Sequence, residues 1–140
     1  MFRKRRLGSI CRRDVDYDRL VQRVPTAGDA GRRISYSRAL RRGEVIEVSG
    51  TTAPGADAYE QATGALEVIR SAVEALGGGR GDIVRTRIFV VEIAANAEQV
   101  GRAHGEFFAD VMPTTGMYGV TGLLEPWMLV EIEATALLYE

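Results

Sequence analysis

Glu131 and Glu133 stand two residues apart, with Val130, Ile132, Ala134 and Ala136 at the alternate positions. In a β-strand this spacing puts both carboxylates on one sheet face and the aliphatic side chains on the other. On a solvated face the glutamates are plain surface charges. On a face covered by another subunit, a carboxylate needs a partner or a raised pKa, and such a group can serve as general acid or base. Glu131 is therefore a candidate for chemistry, beside the alternatives of an exposed strand carboxylate or an interface charge. Ser49-Gly50 closes another strand. Gly50 permits close approach of backbone to a ligand, or is a simple turn glycine. Tyr36 offers a ring and a hydroxyl, for a pocket wall or for the core. Arg87 alternates with apolar residues and is a candidate cation, whereas Arg102 reads as an exposed helix residue. His104, the single histidine of the sequence, falls on an apolar helix face. A core histidine is the preferred reading there over a catalytic one, because no tautomer-fixing partner is visible.

Other chemistries are poorly supplied. Cys11 is alone, so neither a disulfide nor a cysteine metal site can form within one chain. No metal and no cofactor are expected. The glycines between Gly77 and Gly81 lack the Gly-Lys-Ser/Thr ending of a phosphate loop and lead into a strand. Arg80-Gly81-Asp82 reads as a helix-to-strand turn. The chain has 140 residues, 46% apolar and 26% charged, which fits one globular domain. No apolar run reaches the roughly 18–20 residues needed to span a bilayer. The basic start, Met1–Arg6, is followed by Arg12, Arg13 and Asp14 rather than by a signal-peptide apolar region. A cytoplasmic protein without a membrane partner is expected. Residues 1–42 hold 13 of the 18 Lys and Arg but only 4 of the 19 Asp and Glu. The basic residues come in scattered pairs without interleaved aromatics, so nucleic acid is not expected as a partner.

The positioning elements follow from periodicity and turn residues. Residues 1–26 show no sustained period and read as a basic extension, mobile or loosely docked, ahead of a domain at 27–140. Arg33 to Ser37 reads as a first strand, Arg41 to Glu44 as a turn, and Val45 to Ser49 as a second strand. Asp57 is a good N-cap for a helix to about Leu76, whose apolar face includes Ala62, Leu66, Ile69 and Val73. Asp82 to Glu92 is a strand rich in β-branched residues. Asn96 is expected to cap a second helix from about Ala97 to Val111, before Pro113. Strands at Met117–Leu123 and about Met128–Leu138 complete the order β-β-α-β-α-β-β. That order predicts an α+β fold, a mixed sheet with two helices on one face. The other face needs cover, which oligomerisation would supply.

Four stretches resemble the RidA/YjgF family. Tyr36-Ser37-Arg38-Ala39 is similar to its "PYS-x-A" segment, with Ser35 in place of the proline. Val45–Gly50 (VIEVSG) resembles "hhhh-SG". Asp82–Val91 (DIVRTRIFVV) is very close to the family's third strand, with Phe107-Phe108 at the place of its "FF" pair. Val130–Ala136 (VEIEATA) matches "hEIEA-x-A". The resemblance covers about residues 27–140; no single motif is specific, but their order and spacing are. It implies a chorismate-mutase-like fold, a homotrimer whose sheets form a central barrel, and small-molecule pockets between subunits. Deaminating members hydrolyse enamines and imines to ketoacids and ammonia. In those members an arginine in "P-x-R" grips the substrate carboxylate, and a glutamate of the last strand handles water. By resemblance that glutamate is Glu131, and Tyr36, Ser49 and Gly50 complete the pocket.

The departures bear on substrate. Thr115, in Pro113-Thr114-Thr115, stands where the arginine belongs, and one hydroxyl does not replace a bidentate guanidinium–carboxylate contact. Gly101 replaces an asparagine of the second helix, Met117 replaces a frequent cysteine, and Tyr118-Gly119 follow. The substrate-binding set is then Tyr36, Ser49, Gly50, Arg87, Thr115, Met117 and Tyr118, in a less charged pocket suited to a neutral or aromatic ligand. The expected function is a RidA-like enzyme of altered scope, acting on an imine, enamine or related carbonyl metabolite with Glu131 as acid/base. The alternative is a non-catalytic metabolite-binding or regulatory trimer of the same fold.

Overall fold

A computed structural model describes residues 20–139. Ten elements follow in order: β1 (Val21–Val24), α1 (Ala30–Ile34), β2 (Ala39–Arg42), β3 (Val45–Thr51), α2 (Ala58–Ala75), a 3-10 turn (Arg80–Asp82), β4 (Ile83–Val91), α3 (Ile93–Phe108), β5 (Thr114–Val120) and β6 (Val130–Leu137). They build one six-stranded sheet in the order β1-β2-β3-β6-β4-β5. Only β4 and β5 run parallel, joined through α3; every other pairing is antiparallel. The expected α+β class and mixed sheet are present.

Strand alternation sets the two faces. Ile46 and Val48 of β3, Thr86, Ile88 and Val90 of β4, and Val130, Ile132, Ala134 and Ala136 of β6 are all buried. They pack under α2, through Ala62, Ala65, Leu66, Ile69 and Val73, and under α3, through Val100, Ala103 and Phe108. The Asp57 cap forms as expected, its carboxylate accepting from the backbone N–H of Glu60 at 2.9 Å. Gly77 ends the helix region with φ +91°, a left-handed conformation that glycine adopts without strain. The Arg80 guanidinium donates to the carbonyls of Phe107 and Phe108 at 2.8 and 2.9 Å, satisfying the C-terminus of α3.

Several boundaries differ from the sequence reading. Residues 33–37 are not a strand: 30–34 form α1, stopped where Ser35 turns left-handed at φ 57°. The strand is the next segment, β2, and it includes Arg41 and Arg42, read above as a turn. The turn itself is only Gly43-Glu44, because Arg42 pairs with Val45. Helix α3 begins at Ile93 rather than Ala97, and Asn96 does not cap it; its amide donates to the Val91 carbonyl at 2.8 Å. It ends at Phe108 rather than Val111, where Ala109 takes φ 48°. Strand β5 begins at Thr114, three residues early, because Thr114 and Thr115 continue the parallel ladder with Arg85 and Thr86. Of the extension at 1–26, residues 1–19 lie outside the described residues. Within the remainder β1 pairs with β2 from Val21↔Arg42 to Val24↔Ala39.

Candidate functional site

Glu131 and Glu133 share the face of β6 turned away from α2 and α3, as their spacing requires, with Glu47 and Ser49 of β3 and Arg87 of β4. The Glu131 side chain lies along the backbone of Gly50: a Cβ on Gly50 would overlap its Oε1. This contact needs both a glycine and a local break in β3. The β3–β6 register shifts between Val48 and Thr51. Arg38 holds the irregular segment, donating to Thr51 Oγ1 at 2.6 Å and to the Gly50 carbonyl at 3.0 Å. Ser49 Oγ donates to the Ser37 carbonyl at 2.7 Å, tying the same segment to the chain after Tyr36. The Arg38 guanidinium lies 6.0 Å from the Tyr36 ring centroid, at the outer limit of a cation–π contact.

The electrostatics favour a protonatable Glu131. Burial foremost, and the nearby charge of Glu133 next, push its carboxyl above the ordinary range, while Arg38 pulls it partly back. Glu133 is itself engaged: Arg87 Nε donates to its Oε2 at 2.8 Å. Beside this pair a cavity of about 570 Å³ opens, lined among others by Tyr36, Ser49 and Arg87 with Arg23, Glu47 and Glu133. Its wall is mixed in charge. Three of the residues expected to bind substrate thus line one cavity, and Gly50 and Glu131 sit at the same strand end as Ser49.

The β5 residues go elsewhere. Thr115 pairs with buried Thr86, and Met117 with buried Ile88, so both face the helix layer, opposite Glu131. Thr86 Oγ1 donates to Thr115 Oγ1 at 2.7 Å. Tyr118 points to the face away from α2 and α3, its ring 5.9 Å from that of Phe89 and tilted 30°. One chain therefore does not bring Thr115 and Met117 together with Glu131. Arg102 lies on the Tyr59 ring at 4.2 Å, away from both groups. His104 is half-buried against Phe108 with centroids 4.5 Å apart, and burial lowers its pKa, as a core histidine requires. It also reaches Thr86 Oγ1 at 2.8 Å, a partner that the sequence did not reveal. Arg38 was likewise missed, although it sits inside the Tyr36-Ser37-Arg38-Ala39 stretch; only knowledge of the β3 irregularity marks it. Among the described residues no group of His, Cys, Asp and Glu is placed to hold a metal ion, and no helix is long and apolar enough to cross a membrane.

Residues 30–138 match the family model described as endoribonuclease L-PSP. The chain belongs to that family, the YjgF/RidA family. A curated relative, the uncharacterized protein SCO2049 of Streptomyces coelicolor, is 31% identical over 123 residues, 83% of this chain and 91% of its own. Among solved structures, Rv2704 of Mycobacterium tuberculosis, a member of the YjgF/YER057c/UK114 family, superposes with a TM-score of 0.82. It is 38% identical, covering 84% of this chain and 99% of its own. The fold also matches Escherichia coli TdcF with bound serine, at a TM-score of 0.71 and 24% identity over 84% of this chain and 94% of that one. This YjgF/RidA chain thus shares the family's mixed sheet.

Proposed function

We propose that this YjgF/RidA chain is a small-molecule enzyme that works as a homotrimer, with Glu131 as general acid/base on an imine, enamine or related carbonyl metabolite. The observation that carries the reading is the Glu131 carboxyl laid on Gly50, with a raised pKa, at the strand end next to a cavity lined by Tyr36, Ser49 and Arg87. A carboxyl poised above its ordinary range can give a proton to an imine nitrogen and take one from water. In hydrolysis, water adds to the imine carbon, the protonated amine departs as ammonia, and a carbonyl product remains. Protonation of an enamine carbon, which yields the imine, uses the same group.

The trimer reading rests on the sheet face that α2 and α3 leave uncovered and on the separation of Thr115 and Met117 from Glu131 within one chain. A neighbouring copy that lends its β5 edge completes a pocket holding both sets. Serine bound in TdcF supports a small ligand for this fold. The family name invites an RNA substrate, but the cavity pairs Arg23 and Arg87 with Glu47 and Glu133, a wall without the net positive charge that a phosphate backbone demands.

The test is turnover of a panel of imines, enamines and cyclic carbonyl compounds by wild type and by Glu131→Gln, with light scattering on both. The expected result is a particle of three 15.3 kDa chains and a loss of at least about 100-fold in the variant, the lower end of what positioned acid–base catalysis supplies. Turnover that survives the substitution sinks the acid/base role. A stable monomer at micromolar concentration sinks the shared pocket.

A further inference from the structure

On the helix-covered side of the sheet, three side chains from three elements form one hydrogen-bonded chain. Thr86 of β4 is fully buried. Its Oγ1 donates to Thr115 Oγ1 of β5 at 2.7 Å and lies 2.8 Å from His104 Nε2 of α3. The parallel register sets Thr86 beside Thr115, so the first contact is fixed by backbone pairing. The His104 ring is held by Phe108.

The hydrogen count allows two directions for this chain, and the His104 tautomer selects between them. A threonine hydroxyl has one proton to give. With Thr86 donating to Thr115, the contact with His104 takes a donating Nε2–H, and this is the direction adopted in the inference below. Burial pushes the imidazole below its ordinary pKa, which favours the neutral ring. At the other end Thr115 Oγ1 already accepts from Thr86. Its own O–H is left to donate outward, from an exposed position on the edge strand.

We infer that Thr115 is an oriented hydroxyl donor for a neutral carbonyl oxygen of the ligand, with Thr86 and His104 as the residues that position it. The inference rests on the proposed pocket, which includes the β5 edge, and it adds the ligand chemistry recognised there. The chain behind Thr115 is neutral throughout. A carboxylate desolvated against it gains one hydroxyl and no compensating charge, whereas an amide, lactam or ketone oxygen is satisfied by a single donor. The position therefore selects a carbonyl acceptor rather than an anion.

The test compares pyruvamide with pyruvate, which are alike in shape and differ in charge, by NMR titration of the Thr115 methyl and amide signals in the full chain. Pyruvamide is expected to bind about tenfold more tightly than pyruvate. Thr115→Val should bring the two within about twofold, and Thr115→Ser, which keeps the hydroxyl, should restore the preference. The ring nitrogens of His104 should report the Nε2–H form in wild type. In Thr86→Ser that form should persist, whereas a Thr86→Val chain that remains folded should lose both the fixed tautomer and part of the preference. Equal or tighter binding of pyruvate, a preference untouched by Thr115→Val, no Thr115 shift with either probe, or a dominant Nδ1–H ring overturns the inference. These readouts measure binding and tautomer only, so they stand or fall separately from turnover in Glu131→Gln.

Discussion

The carboxyl of Glu131 rests on Gly50, in the space that a Cβ on residue 50 would occupy. A β6 side chain and a β3 backbone are thereby locked to each other, and the irregular pairing between Val48 and Thr51 is what lets them meet. The overlapping atoms belong to the far end of a flexible side chain, so an added methyl displaces the carboxyl instead of breaking the sheet. Gly50→Ala is expected to fold, with a cost at or below the roughly 1–3 kcal/mol typical of overpacking. Its turnover should fall toward that of Glu131→Gln. Full activity together with an unmoved Glu131 side-chain resonance contradicts the placement.

Arg38 tunes the same carboxyl. Its charge lowers the Glu131 pKa while burial and Glu133 raise it. Arg38→Met is expected to raise the Glu131 pKa further and to loosen the Gly50–Thr51 segment that the guanidinium holds. Arg38→Lys keeps the charge but not the two-pronged contact, so it should restore part of the pKa and little of the order. Carboxyl-carbon NMR titration of the three proteins reads this directly. A Glu131 pKa that ignores residue 38 removes Arg38 from the site.

Stability should depend on pH through Glu131 with a definite sign. Its folded pKa lies above the ordinary 4.5. The folded state therefore holds the proton more tightly than the unfolded chain, and stability falls as pH rises from about that value through the folded pKa. Glu131→Gln, neutral at every pH, is expected to melt higher than wild type near pH 7–8 and to lose that advantage below pH 4.5. Calorimetry across pH 4–8 checks the trend. A difference in melting temperature that stays constant over the range, or that grows on acidification, rules it out.

Strand alternation made much of this architecture legible. The period of two from Val130 to Ala136 assigned Glu131 and Glu133 to one face correctly, and the helical spacing from Ala62 to Val73 located the buried side of α2. Three kinds of information were hidden. The β3 irregularity leaves no composition signal, so Arg38 passed as part of a motif. Arg41 and Arg42 look like turn residues, yet the pairing of β2 with β3 draws them into a strand. Side-chain direction on β5 depends on its register with β4; a boundary misplaced by three residues could not show that Thr115 turns toward Thr86 and His104.

The substitution at Thr115 predicts the limits of the activity. Family members that bind a substrate carboxylate through the arginine gain a charged contact of about 1.5–3 kcal/mol. Thr115 instead offers one hydroxyl, already bonded to Thr86. This chain is expected to be about ten- to a hundredfold poorer in kcat/KM on small imines and enamines derived from amino acids than a member that keeps the arginine. A coupled assay that generates 2-aminoacrylate measures the ratio. Thr115→Arg is the informative variant, because residue 115 lies exposed on the edge strand. If Glu131 is placed for proton transfer, the guanidinium supplies the missing anchor and most of the deficit returns. Equal efficiency in wild type assigns the anchor to another cation. Arg87 lines the cavity but is paired with Glu133, so in that case Glu133→Gln, which frees Arg87, should raise carboxylate affinity further.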